Sequence, residues 1–319
     1  MEQTPQHQEN RQVTENAAEN AAGHAASRAG KPAASQAAQR QSSSVLRAFL
    51  RHRMAVAGLA VFSILVLMAV FAPWVSPHDP YEVGKGFQPP SAEHWLGTDQ
   101  TGRDILSRLI YGARTSLLVG VGAVSVYVII GVCIGVIAGY FGRWIDSVLM
   151  RMTDVVMSFP YLLVILVMVS ILGPSLQNII IVLGILGWPP IARIVRGSVL
   201  SVKNREFIKA AHVLGFGKLR IMIRHILPNV LSPILVNATF GIATAIIIEA
   251  SLSFLGMGVM PPMSSWGNML NSAQNISTLS ARPWVWLPPG IMIVLAVLSV
   301  NFIGDGLRDA IDPKRKTTR

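Results

Sequence analysis

Charge is scarce in this sequence. Asp, Glu, Lys and Arg make up 13% of its 319 residues, against roughly 25% in soluble globular proteins, so the chain has too little polar surface to cover itself in water. Cysteine is scarcer still. Cys133 stands alone, which excludes an internal disulfide framework, and its place inside an apolar run reads as a small packing residue. Acids are outnumbered, 16 Asp and Glu against 27 Lys and Arg, for a net charge of +11. The cations lie beside hydrophobic runs with no interleaved aromatics, which points to membrane topology and argues against a nucleic-acid partner. Catalytic apparatus is missing too. Gly217-Lys218 is the nearest approach to a phosphate loop, but Leu219 stands where Ser or Thr must hold Mg2+, and His212 where the first glycine belongs. The chain is therefore not expected to hydrolyse ATP. No nucleophile-base pairing appears, and His78 and His94 have nothing at ligand spacing, so no catalytic residue, no metal site and no cofactor of the chain's own is expected.

What is abundant is apolar: 51% of the residues are hydrophobic, gathered into long runs. Long runs are how a bilayer is satisfied, so the expected fold class is all-α, a polytopic membrane protein. Residues 1–43 are rich in Ala, Gln, Asn, Glu and Ser and cannot bury enough surface to fold, which reads as a disordered tail. Residues 44–53 set Val45, Leu46, Phe49 and Leu50 against Arg47, Arg51 and Arg53, the pattern of an elbow helix lying among lipid headgroups. Met54 to Val75, about 22 residues or roughly 33 Å of helix, then spans a hydrocarbon core of about 30 Å.

Further runs follow at Thr115 to Tyr140, Val155 to Leu172, Ile179 to Val195, Leu231 to Leu255 and Val285 to Ile303. The second is glycine-rich, with Gly131 and Gly135 as a small-xxx-small pair that lets helices approach closely. A short inner loop with Arg143 and Arg151 separates it from the third, which Pro160 should kink or break near the inner end. Trp188-Pro189-Pro190 interrupts the fourth. Cation excess alternates along the chain and predicts six spans with both termini inside, an outer segment over 76–113 and a basic tail over 314–319. Trp266, Trp284 and Trp286 read as interface markers.

The segment between the fourth and fifth runs, 196–229, carries Arg196, Lys203, Arg205, Lys209, Lys218, Arg220 and Arg224 with Glu206 as its one acid. Phe207, Ala210, Ala211 and Leu214 fall at helical spacing on one face, with Arg205, Glu206 and Lys209 on the other. Gly215 should stop that helix, and Lys218 to Leu227 should begin a second one ending against Pro228. Two short helices at an angle make a projecting knob. Glu249 is the one acid deep in a hydrophobic run, where a charge costs roughly 2.5–3.5 kcal/mol. It should line the path or gate, or accept hydrogen bonds from a neighbouring helix end.

Four stretches carry a family resemblance. Lys209-Ala210-Ala211, Gly215 and Ile226-Leu227-Pro228 match the spacing of the EAA loop of ABC importer permeases. REFIKAAHVLG with IRHILPN, LGTDQTGRDILSRLIYGARTSLLVG before residue 121, EASLSFLGMG from Glu249 and GDGLRDAIDP from Gly304 resemble the dipeptide and oligopeptide branch, in its DppC/OppC-type subunits. The resemblance covers about Val45 to Pro313. It departs at Lys209, where the family has an acid, and at His225, where it has isoleucine; Glu206 lies three residues before Lys209.

The resemblance implies a type I ABC importer permease domain over 54–313 in a bacterial inner membrane, paired with a DppB/OppB-type permease. Two cytoplasmic ATPases binding ATP and Mg2+, an extracytoplasmic solute-binding protein and surrounding lipid complete the implied partners. Arg205, Glu206, Phe207, Lys209, Ala210, Ala211, Leu214, Gly215 and Pro228 would form the seat for an ATPase. The implied cargo is a di- or oligopeptide; nickel complexes and glutathione are the rival cargoes within the family, and a proton-coupled carrier is the rival from another class.

Overall fold

Helices account for most of residues 46–311, the part of the chain that the computed structural model describes. The expected tails over 1–43 and 314–319 lie outside those residues. The chain divides into a unit ending at Arg51 and a unit beginning at His52. In the first, residues 46–51 are helical (α1).

The second unit opens with α2 (Arg53–Val70), capped by His52 Nδ1, which accepts from the Ala55 N–H at 3.1 Å. A one-turn α3 (Ala72–Val75) and an outer segment lead to α4 (Ile105–Phe141). Helix α4 is 37 residues long, about 55 Å at 1.5 Å per residue, and starts ten residues before the expected Thr115. Hydropathy alone misses those turns because Arg108 and Arg114 lie in them. They are helical because Asp104 caps the end, accepting from the Ser107 N–H at 2.7 Å, while Ile105, Leu109 and Ala113 are buried.

Gly142, at φ 66°, ends α4. The next element is a helix, α5 (Arg143–Met157), and not the expected short loop. Its charges fall on one face: Asp146 accepts two hydrogen bonds from Arg196, at 2.5 and 2.6 Å, and Asp154 one from Arg193 at 2.5 Å. At Pro160 the chain turns by 80° into α6 (Tyr161–Leu172), so of the expected kink or break it is a break. Helices α7 (Leu176–Leu186) and α8 (Trp188–Lys203) are separated only by Gly187. The fourth run is thus interrupted as expected, just before Trp188, and Pro189 and Pro190 stand in the first turn of α8, where their missing N–H groups would have no partner anyway.

A short α9 (Glu206–Val213) and α10 (Lys218–Ile221) come next, then a π-helical turn (Met222–Ile226) and α11 (Leu227–Phe254). The expected stop at Pro228 does not occur. The Leu227 N–H reaches back to the Met222 carbonyl, a wide turn that carries the chain past a proline in the first turn of α11. Helices α12 (Trp266–Leu270) and α13 (Ile276–Ala281) lie in the second outer segment, and α14 (Pro283–Ile311) closes the fold. Among the described residues there is no strand, only an isolated bridge between Thr98 and Asp104.

Five helical stretches are long and apolar enough to cross a membrane, and the bent pair α5–α6 supplies a sixth if counted as one. Parity decides the count. His52 lies 3.6 Å from Asp309, so both ends of this unit sit at the same face and the number of crossings is even. The broken pair is therefore the sixth.

Helix α4 is the axis. Its Gly131, Gly135 and Gly139 let α8 approach until a Cβ at those positions would sit 2.8, 2.6 and 2.8 Å from Ile191, the Ala192 carbonyl and Val199. The expected close pairing of helices is thus with α8, and the glycine stripe extends one turn further than Gly131 and Gly135. Trp266 is not an interface marker. It is fully buried between α4 and the outer segment, its Nε1–H donating to the Leu109 carbonyl at 3.0 Å.

Candidate functional site

The knob is built from the inner end of α8 to the start of α11. Helix α9 ends in a Schellman turn: Gly215 sits at φ +76°, its N–H donates to the His212 carbonyl, and the Phe216 N–H donates to the Ala211 carbonyl. Nothing lies within 4 Å of where a Gly215 Cβ would be. The glycine is required by backbone conformation, then, and not by space.

Burial divides the expected apolar face of α9. Ile208 and Ala211 turn inward, joining Val199, Val202, Ile221 and Ile226 in a core cluster. Phe207, Ala210 and Leu214 stay outside, so the buried stripe is rotated toward Ile208 and Ala211 is no part of the exposed surface. Val213 and Leu214 are 89% and 71% exposed, and Leu219 and Ile223 continue the patch. These are large apolar side chains left open on the segment between α8 and α11. Arg205, Glu206, Lys209 and Pro228 are exposed as well. Glu206 lies in the first turn of α9, where the helix dipole favours an acid. Among the described residues neither Glu206 nor Lys209 takes part in an ion pair within the chain, and both are available to another subunit.

Residues that motif reading missed hold this knob to the axis. The His212 ring lies 6.2 Å from that of Tyr140 with 13° between planes, and its Nε2 is 3.1 Å from the Tyr140 hydroxyl. Its Nδ1–H donates to the Ile208 carbonyl at 2.9 Å. Lys203 donates to the Tyr140 carbonyl, and Lys218 lies over the Phe141 ring, 5.8 Å from its centroid. The inner end of α4 is thus clasped by the knob. An aromatic pair at the last turn of a glycine-rich helix was the available signal.

A cavity of about 400 Å³ opens between α4, the α5–α6 break, α8 and α11. Tyr127, Phe159, Tyr161, Pro189, Asn237 and Phe240 are among its walls, so the broken helix and the proline-led start of α8 both face it. Its lining is mostly apolar with a few polar groups, the usual character of a small-molecule path.

Glu249 does not line that cavity. It is fully buried where α11 meets α4. Its Oε2 accepts from Ser116 of α4 at 3.1 Å and its Oε1 from Ser253 at 2.7 Å. Those hydroxyls in turn accept from the Trp266 N–H at 3.2 Å and the Val259 N–H at 3.2 Å. One carboxyl therefore joins α4, α11 and the outer segment.

At the other end of α4 the LGTDQTGRD stretch folds around Asp99. Its Oδ1 accepts from the Thr101 N–H and hydroxyl, both at 2.8 Å, and from the Arg103 N–H at 3.1 Å. Its Oδ2 accepts from Arg103 Nε at 2.9 Å and from Arg108. Burial opposes ionisation of Asp99, but Arg108, the Thr101 hydroxyl and Arg103 outweigh it and hold the carboxyl below its ordinary range. Arg108 also donates to Ser264 and to Asn268, both at 3.4 Å, which ties the two outer segments together.

Comparison with known proteins agrees with this anatomy. Residues 131–317 match the family of binding-protein-dependent transport system inner membrane components, and residues 41–90 match the N-terminal transmembrane domain of oligopeptide transport permease C. The dipeptide transport system permease protein DppC of Alkalihalophilus pseudofirmus is 46% identical over 269 residues, covering 84% of this chain and 88% of the relative. The di/tripeptide permease DppC of Pseudomonas aeruginosa is 42% identical, covering 85% and 91%. DppC of Bacillus subtilis is 43% identical, covering 84% of each. Among solved structures, a chain of the inward-facing MetNI methionine ABC transporter superposes with a TM-score of 0.54 over 65% of this chain and 98% of that one, at 19% identity. At that identity the likeness concerns the fold.

Proposed function

Because the chain belongs to the family of binding-protein-dependent transport system inner membrane components, and is a membrane permease subunit of an ABC importer, we propose that it carries di- and oligopeptides and couples to its motor through the knob. The observation that carries the coupling half is the exposed patch of Phe207, Val213, Leu214 and Leu219 on a projection clasped to α4. A cytoplasmic ATPase subunit covers that patch. Burying an apolar side chain of this size contributes about 1.5–3 kcal/mol, so a few such anchors hold a subunit through repeated motion.

The rest of the machine is built on that seat. ATP and Mg2+ are bound by two ATPases, and this chain contributes no catalytic residue. Their closure pushes on α9, the push passes through His212 and Tyr140 to α4, and α4 moves against its outer end. Glu249 acts there as a latch of the outer gate, holding the segment around Trp266 against α4 and α11. A DppB/OppB-type permease completes the path beside the cavity at the broken helix, and a solute-binding protein delivers peptide to the outer segments. In this reading the knob faces the cytoplasm of a bacterial cell with both termini, and its concentration of Lys and Arg supports that orientation.

The cargo rests on the dipeptide permeases that the chain resembles. Uptake into proteoliposomes containing the assembled complex tests both halves: labelled dipeptide should accumulate only with ATP in the compartment holding the ATPases. Accumulation driven by a pH gradient without ATP would contradict coupling, and ATP-driven uptake of a nickel complex or glutathione in place of peptide would contradict the cargo.

A further inference from the structure

The outer segment brings together three side chains that sequence spacing keeps apart. His78, His94 and Asp104 each place one ligand atom within 4.8 Å of those of the other two. Sixteen positions separate the histidines and ten more lie before the acid, which is why no ligand pattern is visible along the chain. We propose that this cluster is a binding site for a divalent transition-metal ion, Zn2+ being the species whose ligand preferences fit two imidazoles and a carboxylate.

The hydrogen bonds around the cluster support this. His78 Nε2 lies 2.9 Å from the Glu93 carbonyl. A carbonyl can only accept, so the proton sits on Nε2 and Nδ1 keeps a free lone pair. A ligating histidine whose second nitrogen donates to a backbone carbonyl is the usual arrangement around a protein-bound metal. His94 Nδ1 lies 3.0 Å from Asp104 Oδ1. In a tetrahedral zinc site with bonds of about 2.0–2.1 Å, two ligand atoms stand about 3.4 Å apart, so this nitrogen and oxygen are close to the separation of two ligands on one ion. The metal takes the place of the proton between them. Drawing in the His78 nitrogen from within 4.8 Å requires about 1.4 Å of movement, which a half-exposed side chain can make.

The surroundings leave the site free for a cation. Arg103 and Arg108, the cations of the same stretch, are engaged by Asp99 and do not neutralise Asp104. The rings of His78 and His94 lie 5.0 Å apart, tilted by 48° between planes, so the two imidazoles are already neighbours. The His94 side chain is 18% exposed while that of Asp104 is 2% exposed. An ion would therefore enter from the outer face past the imidazoles. Once bound it would join three places in the chain: the stretch just after the first span, the loop at 94, and the N-terminus of α4. The His78 N–H already donates to Ser107 Oγ at 3.1 Å, so the ion would brace a contact that the fold makes.

The test uses the full-length chain, assembled with its partner subunits, purified with a histidine-free tag and stripped with a chelator. Co2+ serves as the spectroscopic probe and Zn2+ as the calorimetric one. The expected result is one Zn2+ per chain, a visible Co2+ ligand-field band, and a melting temperature that rises with added Zn2+. His78→Ala and His94→Ala should each weaken binding by at least about tenfold, abolish the band, and melt at a temperature that added Zn2+ no longer raises. His78→Gln, which leaves Asp104 and its cap in place, should melt as the wild type does without metal and separates lost binding from lost folding. Absence of the Co2+ band in the wild-type complex would overturn the proposal, as would an unchanged band and affinity in the His78→Ala/His94→Ala double variant, since the ion would then lie elsewhere on the chain.

Discussion

The two ends of α4 are made in opposite ways. At the outer end every buried charge has partners within the chain: Asp99 is held by Arg103, Arg108 and Thr101, and Trp266 and Glu249 share Ser116. At the inner end the knob leaves Phe207, Val213 and Leu214 uncovered and gives Glu206 and Lys209 no ion pair among the described residues. The buried carboxylates of the outer end are satisfied by groups of the chain itself. With the ATPase seat proposed above, that difference is the line between residues kept for folding and residues kept for docking.

The comparison predicts a ranked set of responses. Asp99→Ala, which strands Arg108 as a buried charge, should have the largest effect: breaking a buried pair costs about 3–5 kcal/mol, read as a lower melting temperature and poor recovery in detergent, with ATPase docking unaffected in whatever protein folds. Gly135→Val comes next, because its side chain would meet the Ala192 carbonyl and Val195; overpacking of this kind costs about 1–3 kcal/mol and should lower the melting temperature. Leu214→Ala should reverse the pattern. It should leave the stability of the isolated chain within about 0.5 kcal/mol of wild type, as exposed sites do, yet weaken pull-down of the ATPase by about 1–2 kcal/mol, or roughly tenfold. Equal effects of Asp99→Ala and Leu214→Ala on both readouts would erase the distinction between the ends.

The smallest effect is one of pH. Since the folded state holds the Asp99 carboxyl below its ordinary value of 3.8, its contribution to stability is full above about pH 4 and is lost as pH falls through the lower folded value. Acid melting curves of wild type and Asp99→Asn should converge below that point. Curves that stay parallel would place the ion pair outside the stability of this end.

Much of this was legible in the sequence, and the failures have physical causes. The apolar runs marked the spans, and the Gly131–Gly135 pair marked a close helix approach. The knob was legible because helix, glycine and proline fall at fixed offsets. Helix α5 was hidden because Asp146, Arg151 and Asp154 look like loop charges until Arg193 and Arg196 are seen to pair with two of them, across 39 and 50 residues of chain. Pro228 reads as a stop, yet a π turn just before it carries the helix through. Periodicity placed Ala211 on the docking face, but only tertiary packing decides which way a short helix turns, and Ile208 took Ala211 inward. Trp266 was invisible because its partner Ser116 lies 150 residues away in the chain, and the His78–His94–Asp104 cluster because its spacing follows no ligand pattern.

The measurement that bears most directly on the central claim is cysteine crosslinking at the two ends. On a Cys133→Ser background, Val213→Cys at the knob and Ile276→Cys at the outer end start from similar exposure, 89% and 80%. In membranes holding the assembled complex, Val213→Cys should crosslink to the ATPase subunit and be shielded from a thiol reagent by it, while Ile276→Cys should react equally with and without the ATPase. A Val213→Cys that forms no adduct and is labelled equally in the presence and absence of the ATPase would contradict the account.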